Sequence, residues 1–189
     1  MHIDGNALRP GQVILHQDRL WVVTKTQHTQ PGKGGAYMQA ELKDIQNGTK
    51  KNERFRSSET VEKVFLEEVP YRYLYQQQGE YTFMHPESYE QISLGANLLN
   101  VSADFLQENM EVLIGFYEDA PIFVNLPPQV VLLIEETDMV VKGQTASSSY
   151  KPAQLENGMR IMVPPHIEAG TKVVVNTEDG NYVERFKGE

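Results

Sequence analysis

The chain has 189 residues, 40% of them hydrophobic, with no cysteine and a formal net charge of −9. That length holds one large domain or two to three small ones; the lack of cysteine excludes disulfides and thiolate metal sites and fits a reducing compartment; and no run approaches the ~18 apolar residues of a membrane-spanning helix. Residues 1–63 carry ten Lys/Arg against seven Asp/Glu, a net of +3 that leaves −12 on the remainder, so the amino-terminal third suits a nucleic-acid partner unless the split is compositional drift.

The opening residues MHIDGNALRPG contain an aspartate and no apolar run, so no signal peptide is expected and the chain reads as cytoplasmic. QVILH and LWVVTKTQ then flank QDR, and AYMQAELK follows a glycine-rich loop. Asn47-Gly48 within QNGT separates two strand-like runs, a strong hairpin signal. RFRSS and EKVFLEEV continue the series. RYLYQQQGEYTFM predicts a second hairpin, EVLIGFYEDAPIFVNL a third, and TKVVVNTEDGNYVERF a fourth that turns at Asp179-Gly180. Val130 to Glu136, VVLLIEE, is the most apolar run and reads as a buried strand. Helical signal is scarce. SADFLQENM, Ser102 to Met110, predicts a short helix from its serine cap position and the Phe105/Leu106 pair, and PESYEQI is either a helical turn or a strand. TASSS, Thr145 to Ser149, reads as a mobile loop. Many short strands at regular spacing predict an all-β chain of small barrels. Junctions are expected near residue 65 and at Asn125–Gln129, where Pro127-Pro128 cannot continue a ladder. The expected domains are therefore 1–64, 65–128 and 129–189.

Catalytic patterns are absent. His2, His16, His28, His85 and His166 have no metal-ligand spacing, and neither HExxH nor G-x-S-x-G occurs. Gly32-Lys33 fails as a phosphate loop because Gln27 stands where the motif needs glycine and Gly34 where it needs Ser or Thr. Glu67-Glu68 and Glu135-Glu136 are adjacent on strand-like runs, so their side chains point to opposite faces. Neither an enzyme nor a metal site is expected.

The informative stretch is TQPGKGGAY, Thr29 to Tyr37. Pro31 fixes the backbone on one side, and Gly32, Gly34 and Gly35 remove every neighbouring side chain. The flanks pair as a hairpin, which leaves Lys33 at the tip with a long stem and a three-donor ammonium. Bare glycine backbone lets a ligand, a nucleic-acid backbone or a modifying enzyme come close. From this stretch alone the simpler reading is a flexible turn with an incidental lysine.

Two separated stretches decide for the probe. TQPGKGGAYMQAELKDIQNGTKKNERFRSSETVE strongly resembles the first domain of bacterial translation elongation factor P. KPAQLENGMRIMVPPHIEAG, Lys151 to Gly170, resembles the signature of that family's third domain at Lys151, Ala153, Gly158, Ile161, Val163-Pro164, Ile167 and Gly170, and GNYVERFKG resembles its carboxy-terminal ending. The resemblance runs end to end. It implies three β-barrel domains, an SH3/KOW-like first domain followed by two OB-fold domains. It also implies a factor without nucleotide cofactor, expected as a monomer, that binds the 70S ribosome between the peptidyl and exit sites beside peptidyl-tRNA. Such a factor promotes peptide-bond formation when consecutive prolines stall synthesis. The family's tip lysine falls on Lys33, which members of this type carry extended by a lysine-modifying enzyme, through β-lysylation or another chemistry.

Two further carry-overs concern the third domain. The aromatic and arginine that lie near ribosomal RNA in the family fall on Tyr182 and Arg185, with a cross-strand pair on the last hairpin as the alternative. A loop near the exit-site codon, often Gly-Asp-Thr in the family, reads Gly143-Gln144-Thr145, and the change to Gln144 removes a charge from it. Two other identities stay open. One is the elongation-factor-P-like paralogue with a different stall spectrum, against which the glycine-flanked lysine argues. The other is a non-ribosomal OB-type RNA-binding protein, which would need stacking aromatics in a basic setting.

Overall fold

Residues 1–140 and 149–188 are described by a computed structural model of the chain. Strand-forming runs and tight turns alternate throughout, and the result is all-β: three antiparallel sheets, with helical geometry confined to the 3-10 turns Gly5–Ala7, Ala96–Leu98 and Ala103–Phe105 among the described residues. No helix is long and apolar enough to cross a membrane.

The first sheet contains β1 (His2–Asp4), β2 (Val13–His16), β3 (Arg19–Thr29), β4 (Tyr37–Asp44), β5 (Lys50–Arg56) and β6 (Thr60–Val64), ordered β1-β6-β2-β3-β4-β5. The second contains β7 (Glu67–Gln77), β8 (Glu80–Met84), β9 (Gln91–Gly95), β10 (Glu111–Tyr117) and β11 (Ala120–Asn125), ordered β11-β10-β7-β8-β9. The third contains β12 (Gln129–Thr137), β13 (Lys151–Leu155), β14 (Arg160–Val163), β15 (Lys172–Asn176) and β16 (Tyr182–Arg185), ordered β14-β13-β12-β15-β16. By packing, the chain divides into two compact units, Met1–Val69 with Ile114–Val124, and Pro70–Leu113 with Asn125–Glu189.

All four predicted hairpins form. The β10–β11 hairpin turns at Glu118-Asp119, with φ of 49° and 65°, and β2–β3 turns at Gln17-Asp18, with φ of 53° and 60°. Both are two-residue turns whose mirror-image twist matches that of the strands. The Asn-Gly turn is built differently from its sequence signal. Asp44, 2% exposed, accepts hydrogen bonds at Oδ1 from the amides of Gln46 (2.8 Å) and Asn47 (3.2 Å), while its Oδ2 accepts from Arg19 Nε. A longer loop organised by a buried carboxylate therefore joins β4 to β5.

The predicted helix at Ser102–Met110 is a correction. Only the 3-10 turn Ala103–Phe105 forms, with Ser102 Oγ accepting from the amide of Asp104 at 3.2 Å. Phe105 is its one buried residue, so no apolar stripe exists to hold further turns, and Asn109 at φ 65° redirects the backbone into β10. PESYEQI resolves into a turn followed by β9, and Val130 to Glu136 lies within β12 with Val130, Leu132 and Ile134 buried.

In the first unit, Ile14, Trp21, Val23, Met38, Ala40, Leu42 and Phe55 form a core cluster with Leu8 and Val61. Alternation puts these residues on one face of β2–β5 and leaves the other face to solvent. That second face carries the site.

Candidate functional site

The β3–β4 hairpin runs in register from Trp21↔Asp44 to Thr29↔Tyr37. Its one irregularity is a β-bulge between Val23 and Lys25. The extra residue, Thr24, reverses the alternation of β3, so that Lys25, Gln27 and Thr29 share a face with Glu41, Gln39 and Tyr37. The next strand continues the rows, with Tyr37↔Arg56, Gln39↔Arg54, Glu41↔Asn52 and Lys43↔Lys50. One face of three strands thus displays Lys25, Lys43, Lys50, Arg54 and Arg56, all exposed, around a single carboxylate, Glu41. Glu41 Oε1 accepts from Thr24 Oγ1 at 2.7 Å and stands 3.8 Å from Lys50 Nζ. The Thr24 hydrogen bond holds its carboxyl below the usual range against an upward push from burial, and Lys25 and Lys50 add to the lowering.

The tip beyond this face is bare. Pro31 is half-buried, whereas Gly32, Lys33, Gly34 and Gly35 are exposed. Lys33 makes no hydrogen bond or ion pair to the described residues. The three glycines have different reasons to be there. Gly34 has φ +108°, a conformation an L side chain rarely adopts. At Gly32 and Gly35 a Cβ would meet nothing within 4 Å, so neither internal contact nor backbone conformation demands glycine there. The root is tied down. Ser57 donates its amide to Ala36 O (3.0 Å), its hydroxyl lies 3.2 Å from His28 Nε2, and the Arg54 guanidinium sits 4.2 Å from the Tyr37 ring centroid. Beside the root opens a cleft of about 600 Å³. The sequence supplied Lys33 and its loop but not the cationic face, because the bulge that gathers it has no marker in LWVVTKTQ. KKNERFR, with Phe55 inward and Arg54 and Arg56 outward, was the legible half of it.

The other sequence candidates lie elsewhere. Tyr182 and Arg185 both stand on β16, so they do not pair with each other across strands. A bulge between Val174 and Val175 sets Tyr182 opposite Val175 and Arg185 opposite Val173, on one side of the ladder. Tyr182 packs edge-on against Tyr150, with ring centroids 6.4 Å apart, and burial followed by the Tyr150 neighbour pushes its phenol upward. Gly143, Gln144 and Thr145, with most of the TASSS stretch, lie outside the described residues.

Family comparison accounts for successive stretches of the chain. Residues 4–61 match the elongation factor P KOW-like domain, residues 66–124 its OB domain, and residues 130–185 the elongation factor P carboxy-terminal domain. Elongation factor P of Rhodospirillum rubrum is 52% identical over 187 residues, covering 99% of this chain and 100% of the relative. Those of a Chelativorans species and of Brucella suis are each 54% identical over 185 residues, covering 98% of this chain and 99% and 100% of the relatives. Among solved structures, the eukaryotic translation initiation factor 5A from Methanococcus jannaschii aligns with a TM-score of 0.53 at 18% identity, covering 66% of this chain and 95% of that one, a likeness of fold. Across all three stretches and nearly its whole length, the chain belongs to the elongation factor P family.

Proposed function

We propose that this chain is a translation elongation factor that binds the ribosome between the peptidyl and exit sites and relieves stalls at consecutive prolines. The observation that carries this reading is the isolation of Lys33: an exposed ammonium at the end of a hairpin, with no partner among the described residues, on a loop where glycine at two of three positions, Gly32 and Gly35, is not required by the fold itself. Proline is a secondary amine of restricted geometry and a poor participant in peptide transfer. A protein without reacting groups accelerates such a step by holding peptidyl-tRNA in a productive pose, an effect of orientation and not of acid/base chemistry. Lys33, bare or lengthened by a lysine-modifying enzyme through β-lysylation or a similar reaction, supplies donors for the acceptor-end backbone. The cationic face of β3–β5 suits the phosphates of tRNA and ribosomal RNA and fixes register without reading sequence. Tyr182 and Arg185 are assigned to ribosomal RNA contact, and Gly143-Gln144-Thr145 to the neighbourhood of the exit-site codon.

The test is a poly-proline reporter in cells lacking their own factor. Expression of this chain together with its modifying enzymes restores read-through; failure to restore it overturns the proposal. Intact mass of the protein from its native host, with any added mass located on Lys33, identifies the extension.

A further inference from the structure

We infer that Ser57 is a positioning residue for Lys33: it fixes the direction in which the tip loop leaves the sheet. The inference deepens the proposed function, on which it rests for the premise that the aim of the lysine matters. β5 ends at Arg56, level with Tyr37 and so with the last pair of the β3–β4 ladder, Thr29↔Tyr37. Residues 30–36 therefore leave the sheet with no strand beside them. Among the described residues, a single hydrogen bond reaches them from outside the loop, from the Ser57 amide to Ala36 O at 3.0 Å.

The same residue holds the other arm of the hairpin. Ser57 lies two positions beyond Phe55, which pairs with Met38, which in turn pairs with His28. That parity puts Ser57 and His28 on the same side of the sheet, and the Ser57 hydroxyl lies 3.2 Å from His28 Nε2. Ser57 thus spans the start of β4, with its backbone on the arm that enters β4 and its side chain on the arm that ends β3. A loop held at one arm swings about that point; a loop held at both keeps its direction.

Ser57 is itself fixed from behind by the Gly5–Ala7 turn. Asn6 donates its amide to Ser57 O at 3.2 Å, and Gly5 donates to Glu59 O at 2.8 Å. A Cβ at Gly5 would fall 2.3 Å from Arg56 O and 3.1 Å from Phe55 Cβ, so this turn lies directly against the backbone that precedes Ser57. Leu8, in the core cluster, closes the turn by donating to Gly5 O at 3.3 Å. A line of contacts therefore runs from the core through the turn and Ser57 to both arms of the tip. Glycines at the tip add conformational freedom that would disperse the aim of the lysine. A fixed root offsets this by lowering the ordering cost when the tip engages its partner, and orientation is what the proposed function asks of the tip.

The experiment combines amide-relaxation NMR on the full chain with the stall reporter, for the parent, Ser57→Ala, Ser57→Thr, His28→Ala and the Ser57→Ala/His28→Ala pair. Ser57→Ala is expected to lower the backbone order parameters of Gly34, Gly35 and Ala36, while those of the Gln17-Asp18 and Glu118-Asp119 turns hold. Its melting temperature falls by less than about 4 °C. Intact mass shows Lys33 in the same state as in the parent, and stall relief drops about fivefold, the weight of one hydrogen bond. Ser57→Thr, which keeps the hydroxyl, restores both loop order and relief. His28→Ala matches Ser57→Ala, and the pair behaves like either change alone, because all three delete one bond. Unchanged order parameters in Ser57→Ala overturn the inference, as does a loosened loop with relief intact. Additive losses in the pair overturn the bridge between the two arms. Loss of order spread through β3–β5 makes the serine structural only, and a changed mass at Lys33 assigns the effect to the modifying enzyme; either result overturns the positioning role. If the parent itself fails in the reporter, the proposed function falls, and the relaxation data alone decide whether Ser57 holds the loop.

Discussion

At the scale of single residues, side chains that act outward and those that hold the fold are separable. Lys33 stands at an exposed tip, so Lys33→Ala is expected to leave the melting temperature within about 1–2 °C of the parent while abolishing stall relief. A large drop in melting temperature would show the lysine to be structural. Asp44 is the opposite case. Burial pushes its carboxyl up, but Arg19 and the amides of Gln46 and Asn47 more than offset this, leaving it below the ordinary carboxylate range. A depressed carboxyl stabilises the fold above its unfolded value of about 3.9, and that contribution is lost as pH falls through the folded value. Asp44→Asn should flatten the acid limb of the stability-against-pH curve below about pH 4 and cost about 1–3 kcal/mol at neutral pH, measured by urea unfolding. An unchanged acid limb would mean that other carboxylates set it.

At the scale of elements, the bulge at Thr24 sets the geometry of the site, since it brings Lys25 onto the face that carries Arg54 and Arg56. Thr24 Oγ1 also donates to Glu41 O at 3.1 Å besides its bond to the carboxylate. Thr24→Val therefore should raise the Glu41 carboxyl toward its ordinary value, seen in an NMR titration of the side-chain carboxyl; no upward movement would show that Lys25 and Lys50 alone hold it down. The bulge also illustrates what sequence does and does not show. Hairpins were legible where a turn residue has one strong preference, as at Asn47-Gly48 and Asp179-Gly180. They were legible too where β-branched and aromatic runs flank a polar pair, as around Glu118-Asp119. A bulge between Val23 and Lys25 leaves no such mark, because threonine is equally at home in a regular strand. The misread stretch Ser102–Met110 has a good cap and nothing behind it, a local signal that a helix needs a buried stripe to realise. Lys33 was legible because glycine and proline isolate it in the chain itself. The meeting of Tyr37 and Arg56 beside the hairpin root was not, since it depends on cross-strand register.

For the whole molecule, the relevant quantity is the separation of +3 on residues 1–63 from −12 on the rest. A net-negative protein with one cationic face is repelled by nucleic acid in most orientations and attracted in few. Its association with ribosomes is expected to slow as ionic strength rises, with a slope reduced by about one for each phosphate-contacting cation removed. Lys43→Gln with Lys50→Gln would test this by stopped-flow binding at several salt concentrations. An unchanged slope would place the contacts elsewhere. These two lysines face each other across the β4–β5 ladder, so the double change relieves a like-charge pair and should not lower stability.

Only one of the three tip glycines is demanded by backbone conformation. Gly34, at φ +108°, resists substitution for internal reasons, but at Gly32 and Gly35 an added Cβ would meet nothing within 4 Å. Alanine, serine and valine in turn at those two positions should therefore fold normally. The size at which stall relief fails then gauges, methyl by methyl, how closely the bound partner approaches each side of the loop. The two vacant corners are a built-in calliper for whatever complex the tip enters.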